Sequence, residues 1–233
     1  MVQKVAIPGL VAPVLALLVA AASILIIYRV VGRQSPGVVN RGFRLGQLAS
    51  GALFSLSHGT NDAQKTMGII FLALVANGNL SSTADIPTWV VVTSASAIAL
   101  GTYAGGWRII RTMGTRIIKM DPAQGFAAQS VGAAVILSAS HVGFPLSTTH
   151  VMSGGIMGAG AAKRLSAVRW GVAGNIVTAW LLTLPCSAAV GAIAYGVVRI
   201  FGTGTAGPVV VMCLFGATLA LAFARRAAVS EAT

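Results

Sequence analysis

Residues 55–66, "SLSHGTNDAQKT", bring His58, Asn61, Asp62, Gln64 and Lys65 together in a chain that is apolar on either side of them. A carboxylate at bilayer depth costs a few kcal/mol, so it is kept where an ion, a proton or a partner needs it. Asp62 is the one acid inside an apolar run. Two uses fit. Lys65, three residues on and therefore on the same helix face, neutralises it, or the carboxylate serves a cation. Gly59, β-branched Thr60 and Asn61 are poor helix formers, and unwound backbone inside a membrane is tolerated only where it is buried or lines a cavity. The segment therefore predicts an interrupted helix, whose freed carbonyls join Asn61 and Asp62 in a hard, oxygen-rich site for Na⁺. The same Asp62 can instead take a proton, and Gln64 and Thr66 extend the polar stripe.

A second polar segment, "GFPLSTTH" at residues 143–150, carries a different chemistry. Pro145 favours a chain reversal, and Ser147, Thr148 and Thr149 then stand where a helix begins. The first-turn N–H groups of a helix have no intrahelical acceptor and carry the positive end of its dipole, which suits an anion. Hydroxyls add donors without adding charge. Ordinary N-capping uses one of them, and three in a row exceed what a cap needs.

His58, His141 and His150 show no HExxH or comparable spacing and no second acid accompanies them, so the reading includes no metal centre. His58 and His150 read instead as supports of their motifs. No GxxxxGK[ST] loop is present, and His58, Asp62 and His150 lack the context of a hydrolytic site. Nothing in these residues supports hydrolysis or ATP-driven transport within this chain.

The elements that must hold both segments are long apolar runs. The chain is 56% hydrophobic and 9% charged with a mean hydropathy of +0.85, the composition of a membrane protein, and its 28 glycines suit close helix packing in lipid. Runs at 8–30, 45–75, 89–106, 170–198 and 207–224 read as transmembrane helices. The first is too long for a secretory signal and ends in no cleavage site. Residues 122–162 have the length of a span and its return, but the Gly, Pro and hydroxyl residues within them favour a re-entrant hairpin with 143–150 at its tip. Residues 33–44 form a basic linker, and 108–119, where Arg alternates with Ile and Met, an amphipathic surface arm. The net charge of +12 is a topology signal rather than a nucleic-acid footprint. With the linker cytoplasmic, every basic residue except Lys4, Arg199 and Lys65 falls on that side. Cys186 and Cys213 lie in apolar runs without metal spacing and read as buried thiols.

The stretches "FSLSHGTNDAQKTMGII", "GGWRIIRTMGTRI" and "GFPLSTTHVMSGGIMGAG" together resemble the second half of the inorganic phosphate transporter (PiT) family, over nearly all of the chain from Lys4 onward. The resemblance implies two inverted repeats, each with an Asn-Asp motif on a broken helix and a re-entrant hairpin with a Ser/Thr-rich tip. It implies phosphate moved with Na⁺ or H⁺ and no cofactor. By position it gives Asn61 and Asp62 to the coupling cation, and Ser147, Thr148 and Thr149 to phosphate. Gln129, in "GFAAQS", falls where some relatives have Glu, and joins the phosphate ligands as an amide that binds without titrating. One Asn-Asp motif, one hydroxyl tip and no internal repeat occur in the 233 residues, so a missing N-terminal repeat or a second chain is the expected partner. The outside N-terminus agrees with an upstream half cut away.

The sequence thus predicts an all-α polytopic membrane protein with a single transmembrane domain over residues 1–233. About five transmembrane helices and a re-entrant hairpin at about 122–162 make it half of an inverted-repeat transporter in the cell membrane. Its expected partners are inorganic phosphate, the coupling cation and the lipid bilayer, not nucleic acid. A sulfate permease of a related branch is the second substrate reading, because a helix N-terminus does not distinguish tetrahedral oxyanions. A non-transporting half that serves as an assembly or regulatory partner is the second class.

Overall fold

The computed structural model describes residues 2–202, 204 and 206–231. Among them every regular element is helical: α1 (Ile7–Val31), α2 (Pro36–Ala76), α3 (Thr88–Gly105), α4 (Trp107–Arg111), α5 (Pro122–His141), α6 (Thr148–Lys163), α7 (Trp170–Phe201) and α8 (Ala206–Glu231). Two of the described helices, α1 and α7, are long and apolar enough to cross a bilayer, and α3 with the segment beyond its 64° bend makes a third if the bent pair is one span. The chain divides after Gly174 into two compact units.

In the first unit α5 and α6 form a hairpin that packs between α1 and α2, with α1 along α6, α2 along α5, and α3 against α2. Small residues decide these contacts, because lipid supplies no hydrophobic force between helices and packing rests on how closely backbones approach. Ala12, Ala16, Ala20 and Ile24, four residues apart, are the buried face of α1. Opposite them, a Cβ on Gly154 would run into the Pro13 carbonyl and one on Gly158 into that of Leu17. The α1 and α6 backbones therefore touch at two points one turn apart. On α5, Gly125 makes room for Gln47 of α2 and Gly132 for Phe54.

The ends of the hairpin are set by local rules. Asp121 accepts from the Gln124 backbone N–H at 2.8 Å while Gln124 Oε1 accepts from the Asp121 N–H at 3.0 Å, a capping box with Pro122 at the first helical position. At the other end of α5, Phe144 N–H donates to the Ala139 carbonyl at 2.8 Å and Gly143 N–H to that of Ser140 at 3.1 Å. Gly143 has φ of 78°, the left-handed conformation that such a helix stop requires. The reversal thus begins at Gly143, two residues before the proline credited with it. At the base of the hairpin, Asp121 Oδ2 also accepts from Tyr28 Oη at 2.7 Å and lies 3.5 Å from Lys163 Nζ, which fastens α1, α5 and α6 together.

Several expectations are corrected. α2 runs 41 residues without interruption through Gly59, Thr60 and Asn61. Thr60 Oγ1 donates to the Leu56 carbonyl at 2.7 Å, so its hydroxyl is satisfied inside the helix, and packing of Ser50, Ser57 and Asn61 as a buried face outweighs the poor local propensities. The basic linker shrinks accordingly, since α2 already begins at Pro36. The arm after α3 is docked at its end, where Ile117 and Ile118 are buried and Ile118 meets Gly160 of α6. In the second unit α7 continues past Pro185, with Thr183 and Ser187 hydroxyls bonded to carbonyls one turn back, and α8 follows. Cys186 and Cys213 are exposed rather than buried. An apolar run does not separate the two cases, because a helix surface that faces lipid is as apolar as one that faces protein. Thr203 and Thr205 of the glycine-rich connection, and the side chains of Lys4, Arg225 and Arg226, lie outside the described residues.

Candidate functional site

The two polar segments meet. Asn61 is 3% exposed on the α5-facing side of α2, and its Nδ2 donates to the Leu146 carbonyl of the hairpin tip at 3.0 Å. The same Nδ2 donates to Asp62 Oδ1 at 3.1 Å. Lys65 Nζ repeats the pattern, 3.1 Å from Asp62 Oδ1 and hydrogen-bonded to the Leu146 carbonyl. Two donors and two acceptors thus close into one cluster. Asn61 Oδ1 accepts from Ser140 Oγ at 3.3 Å, so a single amide holds both the end of α5 and the approach to α6.

Leu146 supplies this acceptor for a simple reason. It precedes Ser147, the N-cap of α6, so its carbonyl has no place in the helical ladder, which begins with Val151 N–H to Ser147 O at 3.1 Å. The backbone oxygen expected from an unwound α2 comes instead from the tip. Sequence reading missed this oxygen, as it missed Ser140. A carbonyl has no residue-type signature, although its place just before a cap was readable.

At the tip, Ser147 Oγ accepts from His150 N–H at 3.4 Å and caps α6. Thr148 is 4% exposed and occupies the first helical position, while Thr149 faces outward. The hydroxyls of Thr148 and Thr149 enter no hydrogen bond among the described residues. One of three hydroxyls therefore serves as the cap and two remain as donors.

Around Asp62, His58 Nε2 approaches Oδ2 at 3.7 Å from one turn back, and the His58 ring lies parallel to Phe54, 6.1 Å between centroids. Its Nδ1 is buried without a hydrogen-bond partner among the described residues. Gln64 and Thr66 are exposed, and the Thr66 hydroxyl donates to the Asp62 backbone carbonyl at 3.5 Å rather than to the side chains of the cluster. Gln129 is also apart. Its Oε1 accepts from Ser50 Oγ at 2.8 Å, eleven residues before Asn61 on α2 and eleven before Ser140 on α5, or about 16 Å along either helix. Among the described residues no three His, Cys, Asp or Glu side chains converge as metal ligands would.

Comparison with known proteins agrees with the sequence motifs. A family model described as the phosphate transporter family matches residues 33–191. A probable low-affinity inorganic phosphate transporter of Mycobacterium tuberculosis (strain ATCC 25618 / H37Rv) is 52% identical over 202 residues, 86% of this chain and 48% of the relative. One of Rhizobium meliloti (strain 1021) is 53% identical over 163 residues, 70% of this chain and 49% of that one. The chain spans about half the length of the curated relatives it matches. A solved structure titled "The sodium-dependent phosphate transporter" superposes with a TM-score of 0.64 at 26% identity, covering 85% of this chain and 57% of that one.

Proposed function

The chain belongs to the phosphate transporter family, and from that premise we propose that it forms the phosphate and cation sites of a secondary phosphate transporter. Phosphate is held at the hairpin tip by the first-turn N–H groups of α6 and the hydroxyls of Ser147, Thr148 and Thr149. The coupling cation, Na⁺ or H⁺, is taken by Asp62 with Asn61 beside it. Five spans and an α5–α6 hairpin that enters and leaves by one side make the chain one inverted repeat in the cell membrane. A complementary repeat, in the same polypeptide or another, completes the pathway, and rocking of the repeats alternates access. Gln129, bonded to Ser50, acts with neither ligand in this arrangement.

One observation carries the reading: Asn61 and Lys65 both donate to the Leu146 carbonyl, the peptide oxygen immediately before Ser147. The acid proposed for the cation and the tip proposed for the anion therefore share two donors, with the Leu146 carbonyl as the tip's acceptor. Opposite charges so placed favour each other's binding, which is what coupling requires.

The test is phosphate binding by the purified transporter with Ser147, Thr148 and Thr149 changed singly to Ala. Loss of a direct hydrogen bond to a charged ligand weakens binding by about 1.5 to 3 kcal/mol, roughly 10-fold to 150-fold. Thr148→Ala is expected to show this loss with thermal stability nearly intact, and Ser147→Ala to show mainly a cap's cost of about 0.5 to 2 kcal/mol in stability. Binding within about twofold of the parent in all three variants would remove the anion site. Competition by sulfate as strong as by phosphate would replace the substrate.

A further inference from the structure

Lys65 makes one contact more than charge neutralisation needs. A lysine three residues from an aspartate on a helix reaches it without help, and the 3.1 Å pair with Asp62 is that contact. The second, to the Leu146 carbonyl, crosses to an element 81 residues away in sequence. The ammonium is thus lodged between a carboxylate oxygen and a backbone oxygen, the kind of hard donors that a bare monovalent cation seeks. Asn61 Nδ2 lies against the same two oxygens, at 3.1 and 3.0 Å, and keeps them together. The Asp62 and Lys65 side chains are 32% and 37% exposed, so water can complete the shell of an ion placed there. A lysine head is a compact, strongly hydrated charge on a flexible four-carbon stem, and it can swing clear without any movement of α2.

We propose that Lys65 is a tethered stand-in for the coupling cation: its ammonium occupies the place between Asp62 and the Leu146 carbonyl, and leaves when a mobile cation enters. The inference rests on the assignment of that cation to Asp62. With the tether seated, Asp62 is never left uncompensated and the tip stays fastened to α2 while the cation is away. The cation must displace the tether, so it binds only from higher concentrations. An ammonium seated about 90% of the time lowers the apparent cation affinity about tenfold.

The experiment follows thermal stabilisation of the purified full-length protein by Na⁺, Li⁺ and ammonium, with ionic strength held by choline. Parent, Lys65→Met, Asp62→Asn and the Asp62→Asn/Lys65→Met double variant are compared. Lys65→Met is expected to respond to cation at concentrations roughly tenfold lower than the parent, or to respond where the parent does not, and the double variant to lose the response. A Lys65→Met midpoint within about twofold of the parent's, with a response that still needs Asp62, overturns the tether and leaves the cation site standing. A response that persists in the double variant places the cation elsewhere and overturns both. A complete lack of response in every variant overturns the tether and leaves Asp62 only the proton. If Lys65→Met fails to accumulate while the double variant accumulates, Lys65 only balances the charge of Asp62 and the proposal is wrong.

Discussion

Each end of the α5–α6 hairpin is fastened by one aspartate and one lysine, yet the two fastenings are built differently. At the base, Asp121 Oδ1 accepts from the Gln124 N–H and Oδ2 accepts from Tyr28 while lying 3.5 Å from Lys163. Both oxygens have a short partner, and the partners come from the three helices that meet there. At the tip, Asp62 Oδ1 is shared by Asn61 and Lys65, while Oδ2 has, among the described residues, His58 alone, at 3.7 Å. A carboxylate whose oxygens are filled by well-placed neighbours is a joint. One with an oxygen less closely filled and a half-exposed lysine beside it is the arrangement that the proposed cation site requires.

The comparison breaks most decisively if the two acids prove interchangeable. Asp121→Ala removes a helix cap and a charged hydrogen bond together, an expected loss of about 3 kcal/mol in thermal unfolding of the detergent-solubilised protein. Asp62→Asn is expected to shift the same unfolding by less than about 1 kcal/mol, as for a partly exposed ion pair. Equal losses would make both ends joints. A finer probe of the base is Tyr28→Phe, which deletes one hydroxyl and should cost about 1 kcal/mol of stability with phosphate affinity unchanged. The smallest effect is expected at Gln129→Ala, where phosphate affinity should move by less than about twofold in equilibrium binding. A larger loss there would mean that the substrate reaches three turns below the tip.

Much of the tip was legible because its residues are costly where they stand. An acid, an amide and three hydroxyls in apolar surroundings announce themselves by type, and Ser147 begins a helix where its sequence context indicates. The base was less visible. Tyr28, Asp121 and Lys163 are ordinary residues at the ends of apolar runs, and their meeting depends on contacts 93 residues apart. Part of it was nevertheless written locally, since Asp121, Pro122 and Gln124 spell a capping box. The reading of α2 failed for a physical reason: Gly59, Thr60 and Asn61 are weak helix formers singly, but a buried face running from Ser50 to Asn61 and a hydroxyl bonded one turn back hold the helix through them. With that helix intact, no carbonyl of α2 is released, and the oxygen had to come from a leucine that no side-chain argument selects.

An unbroken α2 has a mechanical side. Forty-one residues make a rod of about 60 Å, twice the thickness of the hydrocarbon layer. Asn61 sits about 25 residues from Pro36, so a tilt of a few degrees pivoting near the cluster is magnified to ångströms at the Pro36 end, where Phe43 leans on Phe126 with ring centroids 5.5 Å apart. A spectroscopic label on that far end would act as a pointer: a still label would mean that charge is exchanged at Asp62 by the lysine side chain alone, and a moving one that the whole rod takes part.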